Sequence, residues 1–244
     1  MGLSFLFDHG ARQTHLVERT IPMSASARLN VEARNGTVLI TEHAGENLEL
    51  SARIMRFRGD EQAAGEAIEV AASETDVTVR VHASEEVHLT LKLPRHAHVG
   101  RVMSRNGKIE IAVVSGELNA TLSNGDMRIE RLRGSVTAAC GNGRVVVREV
   151  ATLLSAEVSN GSIEVTLQKT LERDLVLKAG NGQIRLQLPP TPNCELNAHI
   201  SVGNISTPWR KVAGVGRLQL AEKLGSGGPL VSVTVSVGQI VVTV

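Results

Sequence analysis

The chain has 244 residues, enough for one large domain with a substantial core, and its 26 Lys and Arg nearly balance 25 Asp and Glu for a formal charge of +1. That balance argues against a nucleic-acid binder or a polybasic membrane-surface protein. Three Phe, one Trp and no Tyr, set against abundant Val, Ile, Leu, Ala, Gly, Thr and Ser, point to narrow layered β-structure with aliphatic filling.

The opening MGLSFLFDHGARQTH has a short apolar run and no basic n-region, below the roughly 7–15 residue apolar core of a secretory signal. No stretch approaches the ~18 apolar residues of a membrane span. The expected location is the cytoplasm, with the cell surface open through another export route. Next, ARLNVEARNGTVLITEHAGENLELSARI reads as a strand, an Asn-Gly turn at 35–36, a second strand, and a third over 48–54. Residues 59–68, GDEQAAGEAI, suit a helical or loop insertion, and IEVAASETDVTVRVHASEEVHLTLKLP alternates again until Pro94 ends it at a coil edge. The 71 residues between Asn35 and Asn106 are close to four coils of the repeat that follows.

That repeat is marked by Asn106-Gly107, Asn124-Gly125, Asn142-Gly143, Asn160-Gly161 and Asn181-Gly182, with steps of 18, 18, 18 and 21 residues. Fixed-period self-similarity is the signature of a solenoid. In each repeat the third and fifth residues after the Asn are apolar (Ile109 and Ile111, Met127 and Ile129, Val145 and Val147, Ile163 and Val165, Ile184 and Leu186). The residue between them is usually charged, so this segment is a strand with one face inward. A second strand follows with Leu118, Ala120 and Leu122 inward, then Val136, Ala138 and Cys140, then Leu154, Ala156 and Val158, and Gly116 and Gly134 sit at the bend.

Asn-Gly is also the favoured pair of two-residue hairpins, and a ligand loop is a third reading. Hairpins give no reason for a constant 18-residue frame. Coils do: each pair then turns a corner, since Gly adopts the left-handed conformation freely and Asn tolerates it. The outward column Glu110, Arg128, Val146, Glu164, Arg185 would place opposite charges beside one another in a parallel stack. After residue 203 the frame breaks. Residues 206–230 hold Trp209 and read as a cap for the open end, or as a recognition loop with Trp209 and Arg210 as partner contacts. VSVTVSVGQIVVTV then reads as the last coil.

Little chemistry is legible. Asp126 shares its column with Lys108, Arg144, Ser162 and Gln183, and Glu130 shares its own with Ala112, Arg148, Thr166 and Gln187, so neither belongs to an acid–base pair of the kind that cleaves glycosides. His96 and His98, with His88 nearby, fall short of a metal-ligand set. GVGRLQLAEKLGSGG lacks the Gly-Lys-Ser/Thr element of a phosphate loop. Cys140 and Cys194, both in inward phase and three coils apart, are expected as free buried thiols about 14 Å apart in level.

ERTIPMSASARLNVEARNGTVLI, LKLPRHAHV, the run SNGDM, GNGRV, SNGSI and GNGQI, and the ending SVGQIVVTV resemble a bacterial putative-adhesin family of β-solenoid proteins over roughly residues 18–244. The resemblance implies a β-solenoid of undetermined function and carries no catalytic motif. The reading is therefore all-β: a single-domain parallel β-solenoid over 1–244 with about 18 residues per coil. Its coils are irregular over 1–105 and regular over 106–203, with a cap-like insertion and last coil over 204–244. The expected role is a non-enzymatic, adhesin-like structural or binding module for a protein or glycan. No cofactor, catalytic residue, metal or nucleic acid is expected, and homo-oligomerisation is open. The alternatives are a cytoplasmic self-associating scaffold and, less favoured, a carbohydrate-active β-helix enzyme.

Overall fold

The computed structural model describes residues 13–57 and 61–244. In chain order the elements are β1 (Gln13–Pro22), β2 (Arg28–Glu32), β3 (Asn35–His43), β4 (Asn47–Phe57), α1 (Glu61–Glu66), β5 (Ile68–Ala72), β6 (Asp76–Val81) and β7 (Val87–Pro94). Longer strands follow: β8 (His98–Ala112), β9 (Ser115–Glu130), β10 (Arg133–Arg148), β11 (Thr152–Thr166), β12 (Leu175–Gln187), β13 (Cys194–Ser206), β14 (Lys211–Leu224) and β15 (Leu230–Thr243). All fifteen strands belong to one hydrogen-bonded sheet, and the architecture is all-β and solenoid-like.

The centre of the sheet is parallel and in register. Asn106, Asn124, Asn142, Asn160 and Asn181 are successive partners across β8–β12, each followed by its paired glycine. Each long strand runs through its Asn-Gly pair, and the inward phase changes there: Leu118, Ala120 and Leu122 are buried before it, Met127 and Ile129 after it.

The core is thin and aliphatic. Before the Asn-Gly pairs, Val102, Ala120, Ala138, Ala156 and Leu177 form one buried column; after them, Ile109, Met127, Val145, Ile163 and Ile184 form another. Small and large columns together fill a space that would not admit a stack of aromatic rings, which is the physical sense of the aromatic-poor composition.

The other end of each repeat bends through Val113, Arg131 and Glu149, whose φ angles are 56°, 52° and 53°. These non-glycine residues, spaced like the repeat, carry the left-handed turn; Gly116 and Gly134, expected at the bend, lie just inside the following strands. The N–H groups of Val113 and Arg131 are satisfied by the carbonyls of Glu130 and Arg148 in the next coil, both at 3.1 Å.

Four expectations are corrected. First, Asn35 is the direct register partner of Asn106, so the 71 intervening residues do not build four coils. Beside β8 lie β2 and β3, joined by Ala33 and Arg34 and hydrogen-bonded to β8 along both halves; beyond them the order branches, β2 leading to β6 and β5 and β3 to β7, β4 and β1. The β1–β4, β4–β7 and β5–β6 pairs are antiparallel; only β5–β6 is joined by a short turn, and α1 follows β4.

Second, β15 is not the last coil. It inserts between β12 and β13, parallel to both, and β14 closes the order antiparallel to β13. Third, Cys140 and Cys194 are thereby four strand positions apart rather than three, about 19 Å at the parallel spacing; both are free and buried. Fourth, Glu110, Arg128, Val146, Glu164 and Arg185 are register neighbours, yet their ion pairs run otherwise. Lys108 pairs with Glu110 at 2.5 Å and Arg128 with Glu130 at 2.7 Å, two residues away on the same strand face, and Arg148 reaches Glu164.

Candidate binding surfaces

The Asn-Gly column forms a polar ladder along one side of the molecule. Each Asn donates its Nδ2–H to the Oδ1 of the preceding Asn, from Asn181 through Asn160, Asn142, Asn124 and Asn106 to Asn35, at 2.8–2.9 Å. Asn35 ends it by donating to the Ser84 carbonyl. Beside it the glycines pack backbone on backbone: a Cβ on Gly143 would lie 1.8 Å from the Gly125 carbonyl oxygen, and one on Gly125 equally close to that of Gly107. Side-chain amides in a ladder polarise one another and hold register.

At the C-terminal end the ladder stops. Asn181 faces Val237, which pairs with Val202, which in turn pairs with Val215 of the edge strand β14. These valines are 48, 39 and 86 % exposed.

Trp209 lies in this region, in the turn between β13 and β14. The turn is fixed: the N–H and Oγ1–H of Thr207 both donate to the Arg210 carbonyl, and the Arg210 N–H donates to Thr207 Oγ1. Trp209 is 48 % exposed and lines a groove of about 650 Å³ with Pro190, Pro192, Pro208, Glu222 and Lys223. The 190–193 side of the groove is fastened by Asn193 Oδ1, which accepts the N–H and Oγ–H of Ser226. Of the two residues expected to contact a partner, Trp209 borders this groove and Arg210 does not. Pro208, Glu222 and Lys223 fall within the 206–230 segment singled out from the sequence, whereas Pro190 and Pro192 come from the run LPPTPN at 188–193, outside it.

The remaining polar candidates disperse. Asp126 is registered between Lys108 and Arg144, and Glu130 between Ala112 and Arg148. His96 Nε2 lies 3.2 Å from the Met23 carbonyl, and His88 pairs with Glu86 at 3.5 Å. No group of three potential metal ligands converges among the described residues. Burial pushes the Cys140 thiol up, with Asp126 adding to the effect, and burial alone does the same at Cys194. Neither is an activated nucleophile. No helix is long and apolar enough to cross a membrane among the described residues.

The chain is similar to three solved structures, covering nearly the whole of each at low identity. A putative adhesin from Bacteroides fragilis is 8 % identical, with 96 % of this chain and 98 % of that one aligned and a TM-score of 0.40. A putative adhesin from Parabacteroides merdae is 10 % identical over 95 % and 96 %, TM-score 0.36. A putative cell adhesion protein from Clostridium sporogenes is 11 % identical over 95 % and 99 %, TM-score 0.35. Among curated proteins nothing matches. The family model of Toastrack DUF4097 matches residues 11–243, and the chain belongs to that family.

Proposed function

We propose that this protein is a non-enzymatic binding module. In this reading its coils are about 18 residues long and turn at the Asn-Gly pairs, and the rigid stack presents the Trp209 groove to a protein or glycan partner. The observation that carries the reading is the exposed Trp209, held in a hydrogen-bonded turn beside a proline-lined groove. Trp and Pro bury contact area with little loss of conformational entropy, and Trp is enriched among residues that dominate binding energy. Glu222 and Lys223 supply a polar rim.

Trp209 is the chain's only tryptophan, so its fluorescence reports the groove directly. A glycan array and purified surface proteins should yield a binder that shifts this emission, and Trp209→Ala should weaken that binder at least tenfold at unchanged Tm. Binding that survives the substitution would overturn the reading. Placement outside the cell is part of the proposal, and protease treatment of intact cells tests it: loss of the protein supports a surface role, and full protection removes it.

End-to-end self-association is a second reading, favoured by one observation: among the described residues no strand pairs with the outer edge of β14, which carries the 86 % exposed Val215. Sedimentation across protein concentrations tests it. Association lost in Val215→Lys supports it, and a monomer at every concentration removes it.

A further inference from the structure

The branch point leaves a cavity of its own. Where β2 and β3 meet, the Ala33-Arg34 link runs beside β8 just before the Asn-Gly column, and a cavity of about 500 Å³ opens beside it. It is seven strand positions from β14 and shares no lining residue with the Trp209 groove.

Its lining is strongly cationic. Four arginines meet a single glutamate there, a surplus of three positive charges in a chain whose total is +1. Arg80 is already engaged, by Glu32 at 3.4 Å and Glu69 at 3.2 Å, and His82 is held by Glu69 at 2.8 Å. Arg34, Arg101 and Arg105 make no side-chain ion pair or hydrogen bond among the described residues. All three are exposed, so solvent screens their mutual repulsion, and nothing in the repeat requires an arginine there: Ser123, Gly141 and Ser159 stand at the position of Arg105 in the next three strands.

Hydroxyl groups complete the wall. Thr121 and Ser123 border the cavity from β9.

We propose that this cavity binds a small organic molecule bearing a tetrahedral oxyanion, a phosphate or sulfate ester of about the size of a monosaccharide. Guanidinium forks match the paired oxygens of such groups, which is why three arginines rather than lysines suit this wall. The volume lies in the range of small-molecule sites, and half-buried Met103 gives the non-ionic part of the ligand an apolar contact.

Isothermal titration of the full chain with glucose 6-phosphate and glucose 6-sulfate, against glucose and inorganic phosphate, tests the proposal. One or both esters should bind at least tenfold more tightly than glucose and than inorganic phosphate, and their relative strength identifies the oxyanion. Arg34→Lys with Arg105→Lys keeps the charge and removes the forks; it should weaken the ester at least tenfold, while Trp209→Ala leaves it unchanged. Equal affinity for ester and inorganic phosphate, unchanged affinity in the double variant, or no binding of any probe by a protein of normal Tm would each overturn the assignment. Because the Trp209 groove is read separately by its fluorescence, failure of either site leaves the other standing.

Discussion

The central coils and the C-terminal strands use the same backbone with different side chains at one position. Across β8–β12 every Gly of the column is preceded by an Asn in the amide ladder; in β15 and β13 the preceding residues are Val237 and Val202. The glycines persist. Gly238 and Gly203 keep φ angles of 144° and 137°, and a Cβ on either would lie within 1.9 Å of a neighbouring carbonyl oxygen, as in the central coils. In the Asn-Gly pair, then, glycine is what the backbone geometry demands, and asparagine is an added polar connection whose loss leaves an exposed apolar strip.

The sharpest way to break that comparison is to add one methyl group. Gly143→Ala combines a strained φ of 143° with a Cβ at 1.8 Å from the Gly125 oxygen, backbone that has no free space to retreat into. Strain and overpacking together should cost about 3–5 kcal/mol, with failure to fold as the extreme. Strain alone would predict the lower figure of roughly 1–3 kcal/mol. Gly216→Ala isolates it, since Gly216 has φ +111° with nothing within 4 Å of an added Cβ, and should cost about 1 kcal/mol. Urea midpoints for the two variants check this; equal losses would mean that the glycine column is not a close-packed contact.

The asparagines should matter less. Asn142→Ala removes two side-chain hydrogen bonds, one given to Asn124 and one accepted from Asn160, and should cost about 1–2 kcal/mol; Asn181→Ala removes one and should cost about half as much. The reverse experiment is Val237→Asn. It places an amide opposite Asn181 and should extend the ladder, raising stability by about 0.5–1 kcal/mol. Thermal melts of the three variants read the series, and a destabilising Val237→Asn would show that the strip beyond the ladder is packed for apolar side chains.

Smaller still is relief at the opposite bend. Val113 is β-branched with φ 56°, a conformation that Asn tolerates far better. Val113→Asn should stabilise by about 0.5–1 kcal/mol, whereas Arg131→Asn, starting from an unbranched residue at the same position, should gain less. A loss of stability at Val113→Asn would mean that the valine side chain contributes more by packing than its backbone costs.

The parallel register of β8–β12 was legible because side-chain phase and glycine spacing are local properties of each strand. Period-two burial gives its columns except in β11, where a register shift after Val136 puts Leu153 rather than Leu154 in the buried column. What the chain does at its two ends was not legible, because pairing partners there depend on space left by distant segments. Nothing local marks β15 as the strand that enters the slot between β12 and β13, and nothing in Asn35 announces that Asn106 is its immediate neighbour. Trp209 stood out as the only tryptophan, while the rest of its groove comes from 188–193 and 222–225 and is assembled only by folding. The arginines beside β8 were invisible as a group for the same reason: Arg34 and Arg101 are far apart in sequence and meet only because β2 and β3 pair beside β8.

Acid should separate the branched end from the central coils. Glu49 of β4 is held below its ordinary value of 4.5 by its hydrogen bond to Lys92 and then by that ammonium's charge, and Glu69 of β5 is lowered chiefly by its hydrogen bond to His82, with Arg80 adding to it. Both join antiparallel strands of the branched end, β4 to β7 and β5 to β6. A carboxylate whose folded-state value is depressed stabilises the fold fully above its unfolded value near 4.5, and that contribution fades as pH falls through the lower folded-state value. Both groups are exposed, so salt screens them and the effect is small. Hydrogen exchange read by peptide mass should therefore show 47–57, 68–82 and 87–94 losing protection before 98–187 on acidification from pH 5 to pH 3. In a Glu49→Gln, Glu69→Gln variant, protection of the first three segments should start lower and depend less on pH. Simultaneous loss across all segments would mean that the antiparallel end and the parallel stack unfold as one unit.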